Sequence, residues 1–410
     1  MPQKNEESND TAFKNWINEA LVKRMAKHIS HHYPAFDEKA FIKLSHKLPN
    51  LELKPRMRLI CDFLKTHLPE DYNKALAILL KATTKPAPGV TAMKGFDLWA
   101  FTEYVHRYGL KDFEESMKAL HTFTELFTAE FAIRPFLIHE EKRTLKVLHK
   151  WSKDKNHHVR RLVSEGSRPR LPWGEQLKSF IKDPAPTIEL LDKLKYDDEL
   201  YVRKSVANHL NDISKDHPDI AVKVAARWLK EAPAKHKEKI EWIARHALRT
   251  LLKKGNADAL KLLGYENKGK VQIKNLLLVS DNVKIGSHLE FSFDVASTEA
   301  AQIMVDYLIH HKKANGGTSP KVFKLTTKTM KHKEVIAIKK KHSFKPITTR
   351  VYYPGTHYLE IMVNGKLLAK IPFTLKKLKK GASKAPFFNS RKSPAHKMQR
   401  GPSLSLDPRI

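Results

Sequence analysis

One pattern recurs along this chain at the spacing of a two-helix repeat. Val159-Arg-Arg161 returns as Val202-Arg-Lys204 after 43 residues, and in degenerate form as Ile243-Ala-Arg245 after a further 41. That period belongs to HEAT-type helix pairs. A single pair cannot bury its apolar stripe alone, so neighbours stack and leave one long concave face. The rest of the first two-thirds agrees. Ala20, Leu21, Met25 and Ile29 fall at helical spacing, as do Leu59, Phe63 and Leu64, then Ala75, Ile78 and Leu79. Breakers such as Lys85-Pro-Ala-Pro-Gly89 and Asp183-Pro-Ala-Pro186 separate the pieces. Residues 11–268 therefore read as a superhelical α-α solenoid, preceded by a polar, disordered 1–10.

The texture changes after Gly269. Leu276–Val279, Leu289–Val295, Ile303–Ile309, Val322–Leu325, Val335–Ile338, Thr349–Tyr353, Tyr358–Val363 and Leu367–Ile371 are strand-like runs. Asn364-Gly365 between two of them is a strong hairpin signal. So many short strands in 272–375 predict an immunoglobulin-like β-sandwich. The fold class is mainly α, a HEAT-like solenoid followed by that sandwich. Residues 376–410 form a basic Lys/Arg/Ser/Pro tail in which Asp407 is the one acid. Such a segment cannot order itself by burial. It serves solubility or attracts nucleic acid.

A net charge of +32 attracts polyanions, nucleic acid first among them. A membrane surface or an acidic protein could also use it. No apolar run is long enough to span a bilayer, and the polar start lacks a signal-peptide core. Cys61 is alone, which excludes an intrachain disulfide and a cysteine-based metal site and fits a reducing cytoplasm. The His-His pairs at 31, 157 and 310 lack nearby ligands and read as surface histidines.

Residues 151–176 combine clustered Lys and Arg, Trp151, Trp173 and Glu165 with Pro/Gly turns. Cations bind phosphate, and tryptophans cover sugars and bases. Glu130 and Arg134 are four apart, as are Arg161 and Glu165, while Lys204, Asn208 and Asp212 continue at the same step. The repeat offset carries Arg161 onto Lys204 and Glu165 onto Asn208. Each such pair alone is worth only about 0.2–0.5 kcal/mol on an exposed helix. In register on stacked helices about 10 Å apart, they could converge on one ligand. Gly166 can end its helix in a left-handed cap. Pro169 and Pro172 stiffen a loop that displays Arg168 and Arg170, with Trp173 either packed or binding.

Walker, dinucleotide, Gly-x-Ser-x-Gly and His-Glu-x-x-His signatures are missing, and Cys61 sits in an apolar helix. What remains is carboxylate chemistry, suited to an oxocarbenium-like centre.

Thr128-Ala-Glu130-Phe-Ala-Ile-Arg134-Pro-Phe, Val159–Trp173 and Val202–Pro218, in that order, resemble the HEAT-like-repeat alkylpurine DNA glycosylases of the C type. The resemblance covers roughly 12–265, and members with an immunoglobulin-like C-terminal domain agree with 272–375. It implies a cofactor-free, monofunctional, monomeric enzyme in the cytoplasm, acting on nucleoid DNA. That enzyme would hydrolyse the N-glycosidic bond of cationic N3-alkylated bases, 3-methyladenine and also 3-methylcytosine, in duplex DNA without deep base flipping. By motif, Glu130, Glu165 and Asp212 are the catalytic acids and Arg161 supports them. Trp151, Trp173 and Asn208 would meet lesion or backbone. Lys153, Arg134, Arg160, Arg168, Arg170, Arg203 and Lys204 would contact DNA, and Lys339-Lys-Lys-His342 is a candidate contact on the sandwich. Two rivals remain: a non-catalytic nucleic-acid scaffold, which needs the charge but not the carboxylates, and a HEAT-type protein adaptor.

Overall fold

The structure, a computed structural model, describes residues 12–266, 271–347 and 350–377. They fall into two compact units. One comprises the chain up to His217 together with Trp228–Ala247, and the other Leu248 onward with Pro218–Arg227.

The first unit is helical. The His157–Gly166 helix packs on Leu200–Asp216, which packs on Lys237–Ala247. Val159, Val202 and Ile243, the residues that mark the repeat, are fully buried in that stack. Helix starts follow local chemistry. The side chains of Asn18, Asp37, Asp71 and Asn156 accept a backbone N–H of their first turns, each replacing a donor's lost partner. The Glu19–His32 helix buries Leu21, Val22, Met25, Ala26 and Ile29, leaving Ala20 outside the stripe. Cys61 is buried in the core, and its thiol is pushed by that burial up to about 12.

The second unit holds two short helices, Arg249–Lys253 and Ala257–Leu262, and a sandwich. One sheet has the order β1 (Val271–Leu278), β3 (His288–Ser297), β6 (Val335–Ser343). The other runs β2 (Asn282–Lys284), β8 (Lys366–Lys376), β7 (Gly355–Val363), β4 (Ala301–Lys312), β5 (Thr318–Met330). All pairings are antiparallel except β2 with β8. Alternate residues of β3, Leu289, Phe291, Phe293 and Val295, enter the core with Ile303, Val305, Ile361 and Phe373. Asn364 and Gly365 both take positive φ, 46° and 75°, the requirement of a type I′ hairpin turn. Gly255 sits directly against that turn. A Cβ on it would lie 2.9 Å from the Gly365 carbonyl oxygen, so the hairpin and the short helices meet backbone to backbone.

Two expectations change here. Arg350–Tyr353 forms no ladder beyond an isolated Ile347–Arg350 bridge, and Thr349 lies outside the described residues. The short β2 takes a place in the sheet instead, alongside the end of β8. His311 is not a surface histidine, because β4 turns it into the sandwich against His342, His357 and Phe344. The 1–10 segment and nearly all of the 376–410 tail lie outside the described residues.

Candidate active site and nucleic-acid interface

Glu130 lies in the turn before the Arg134–His139 helix, Arg161 and Glu165 on His157–Gly166, and Asp212 on Leu200–Asp216. The fold draws them into one line of alternating charge. The Arg161 guanidinium donates to Glu130 Oε2 and, at 3.0 Å, to Thr128 Oγ1. Its other arm lies 3.4 Å from Glu165 Oε1. Arg168 then donates from Nη1 to Glu165 Oε1 and from Nε to Asp212 Oδ2, both at 2.7 Å. Lys215 closes the line, its Nζ 2.7 Å from Asp212 Oδ1.

Depth sets the electrostatics. Glu165 is 5% exposed, Arg168 4% and Asp212 fully buried. Burial alone would raise the Glu165 carboxyl, but Arg161 and Arg168, with a 2.6 Å hydrogen bond from Ser205, hold it well below the usual carboxylate range. Both guanidinium groups are in turn held above their ordinary range, because the carboxylates outweigh the burial that opposes charge. His209 packs alongside. Its Nδ1 donates to the Ser164 carbonyl at 2.9 Å, its Nε2 is buried with no partner among the described residues, and burial lowers it to about 4. Glu130 differs from the other two acids. It is only partly buried, and its Oε1 makes no hydrogen bond with any described residue.

Several predicted roles move. Arg134 does not share a helical face with Glu130, because the helix starts at Arg134 itself. It is 1% exposed and donates to the carbonyls of Glu175, Gly166 and Arg168 at 2.6, 2.8 and 2.9 Å. It is the internal frame of the 166–175 loop. Gly166 ends its helix without a positive φ. Its hydrogen side faces Ile133, where a Cβ would stand 2.5 Å from Cγ2.

Arg168 points inward as described. Arg170 forks onto Asp216 at 2.6 and 2.7 Å, and Arg160 onto Asp197 at 2.6 and 3.0 Å. Arg203 donates to the carbonyls of Asp197 and Asp198. These guanidinium groups are committed to protein acceptors, while each keeps some of its five N–H donors. Of the predicted cations only Lys153 and Lys204 are exposed with no partner among the described residues. Trp151 is buried against His121. Asn208 is partly buried beside His246, 3.0 Å from its Nε2. Trp173 does not pack. It is 67% exposed at φ 64°, with its carbonyl accepting from Lys54 at 2.6 Å. On the sandwich Lys339, Lys340 and Lys341 are exposed on an edge strand, whereas His342 turns into the core.

Sequence reasoning missed Thr128, Tyr201 and Ser205. Tyr201 carries Arg161 over its ring at 5.0 Å. Only Ser205, one turn before Asn208 on the helix that carries Asp212, left a signal, since its i+3 position from Val202 faces the preceding repeat.

Known proteins match this chain over nearly their full length. The structure of Pseudomonas fluorescens alkylpurine DNA glycosylase AlkC, bound to DNA containing an abasic site analog, superposes with a TM-score of 0.81. It is 40% identical, covering 89% of this chain and 99% of that one. The chain belongs to the AlkC family. The uncharacterised protein YhaZ of Bacillus subtilis (strain 168) is 42% identical over 358 residues, 87% of this chain and 97% of its own. Residues 272–377 match the family described as the C-terminal Ig-like domain of YhaZ. A helical region followed by an immunoglobulin-like sandwich is thus the AlkC arrangement, as the motifs had implied. Among the described residues no helix is long and apolar enough to cross a membrane, and no group of three or more His, Cys, Asp or Glu side chains is set to hold a metal ion.

Proposed function

We propose that this AlkC-family chain is a monofunctional DNA glycosylase. It releases cationic N3-alkylated bases, 3-methyladenine and 3-methylcytosine, from duplex DNA without taking the base into a deep pocket. The observation that carries the reading is the line Glu130–Arg161–Glu165–Arg168–Asp212, three carboxylates each paired with a guanidinium inside a chain of net charge +32. Carboxylates on a DNA-binding surface repel phosphate, so they need another task.

An alkylated base leaves with the electron pair of the C1′–N bond and needs no strong acid. The deoxyribose becomes oxocarbenium-like, and fixed negative charge beside it lowers the barrier. Water then adds to C1′ and gives up a proton. Glu130, with Oε1 uncommitted, is the group to orient that water and receive the proton, while Asp212 and Glu165 supply the buried field. Lys153 and Lys204 meet phosphates, and Trp173 lies against the distorted strand. The protein acts as a monomer on cytoplasmic, nucleoid DNA, with no cofactor in the scheme.

The test is chromatographic release of free base from dimethyl-sulfate-treated duplex DNA, with strand nicking followed in parallel. Wild type should release 3-methyladenine without nicking, and Glu130→Gln and Asp212→Asn should each lose at least about 100-fold, a typical general-acid–base contribution. A wild type that binds the duplex in a salt-dependent way and releases nothing would establish the scaffold reading instead.

A further inference from the structure

Arg168 was expected to face DNA, and the fold turns it the other way. Among the described residues its guanidinium is the single group that touches both Glu165 and Asp212, at 2.7 Å each, from two different helices of neighbouring repeats. Three features show that this placement is built. The side chain is almost wholly buried. Its own carbonyl is gripped by Arg134, which also holds the carbonyls of Gly166 and Glu175 and so fixes the loop that delivers it. A Cβ on Gly174 would lie 3.3 Å from Arg134 Nε, so this loop is drawn tightly around the guanidinium.

Two carboxylates out of water and near one another do not both ionise unless a cation stands between them. Arg161 on Glu165 and Lys215 on Asp212 each meet only one of the two acids, and Lys215 is an exposed ammonium open to phosphate. The forked, internal guanidinium of Arg168 meets both.

We propose that Arg168 is a positioning residue that bridges Glu165 and Asp212, countering the charge of these acids and fixing their separation for the reaction, acting from inside the protein and never on DNA. The claim rests on the glycosylase reading. It assigns to the 166–175 loop the task of carrying a counter-ion into the site.

The test uses full-length protein with Arg168→Gln and Arg168→Lys. Three quantities are measured: single-turnover release of 3-methyladenine from alkylated duplex between pH 5 and 9, affinity for a duplex with an abasic-site analogue, and thermal melting. Arg168→Gln should bind the abasic duplex within about threefold of wild type, in keeping with a group that makes no phosphate contact. Its single-turnover rate should fall at least about 100-fold, and the acid limb of its pH–rate profile should move up by about one unit or more. Arg168→Lys should keep the acid limb in place and recover part of the rate.

A rate for Arg168→Gln equal to wild type overturns the proposal. So does a loss that appears wholly as weaker binding, with an unmoved pH profile. If Arg168→Gln does not melt as a folded protein, Arg168→Lys decides: a wild-type rate overturns the proposal, because an ammonium cannot fork between both acids. A wild type that releases no base overturns the glycosylase reading and this proposal with it. An active wild type beside indifferent Arg168 variants overturns only the proposal.

Discussion

One close approach beside the site can be probed with a single added methyl group. Gly166 ends the helix that carries Arg161 and Glu165, and it faces the turn that carries Glu130. A Cβ added there would stand 2.5 Å from Ile133 Cγ2, 3.3 Å from Leu162 Cδ1 and 3.8 Å from the Glu130 carbonyl oxygen. Ile133 is fully buried and branched at Cβ, so its methyl group cannot swing aside. Restoring ordinary contact requires the turn and the helix to part by about 1 Å.

Gly166→Ala should therefore destabilise by about 1–3 kcal/mol, the usual range for overpacking. The helical transition should fall by about 2–4 °C for each kcal/mol. Because the displaced turn bears Glu130, release of 3-methyladenine should fall up to about 100-fold, the scale of a 1 Å misplacement. Ile133→Ala removes the obstructing methyl. The Gly166→Ala, Ile133→Ala double variant should then recover at least about 1 kcal/mol relative to the sum of the single losses. Urea melts of the four proteins, followed by far-UV circular dichroism, measure the cycle. An unaltered Gly166→Ala protein, or strictly additive losses, would refute the idea that this close approach holds the site together.

Four further outcomes are expected. Trp173→Gly suits the left-handed backbone at that position, so melting should hold or rise while affinity for abasic duplex falls by about 1–3 kcal/mol, the worth of one aromatic contact; unchanged binding in a fluorescence titration would count against a DNA-facing Trp173. Lys153→Gln and Lys204→Gln should each lower the salt slope of duplex binding by about one, whereas Arg160→Gln and Arg170→Gln, already paired with Asp197 and Asp216, should leave it alone; equal slopes across all four would contradict the assignment. Burial lowers His311 to about 3 and His342 to about 4, and depresses His357. Because the unfolded chain binds more protons than the sandwich does, the stabilisation is complete above the ordinary histidine range and is lost as pH falls from there toward 3–4; hydrogen exchange of β4, β6 and β7 peptides should accelerate between pH 7.5 and 5, after correction for intrinsic rates, and flat protection would exclude these histidines as the cause. His209→Asn should weaken the helical unit, since it breaks a buried bond to Ser164, with an expected loss of about 1–3 kcal/mol; a melt within experimental error of wild type would dismiss that bond.

The repeat was legible because Val159, Val202 and Ile243 occupy equivalent core positions, and core positions constrain sequence at fixed spacing. The Asn364-Gly365 turn was legible for a different reason: few residue pairs tolerate two successive positive φ angles. The Glu130, Glu165 and Asp212 set was readable from motif order. Their counter-ions were not. Pro169 and Pro172 suggested an arginine display, but the loop path is decided by Arg134, which gathers three carbonyls from positions distant in the chain. A buried cation whose partners are backbone atoms leaves no complementary residue type to search for. Strand β2 was missed because its three residues alternate only once and gain their place from the end of β8. Arg350–Tyr353 has strand composition, but no neighbouring strand offers it a ladder.

The line of paired charges also separates two responses to ionic strength. On the proposed function, lysines on the surface would meet phosphate through solvent, where mobile ions screen beyond about 10 Å at 0.1 M. Arg168 meets its acids where both partners are buried, and Arg161 where they are mostly buried, so mobile ions screen these pairs far less. Added salt should thus free the duplex from the protein while leaving the speed of base loss in the assembled complex nearly constant, so that occupancy and turnover part company in the same titration.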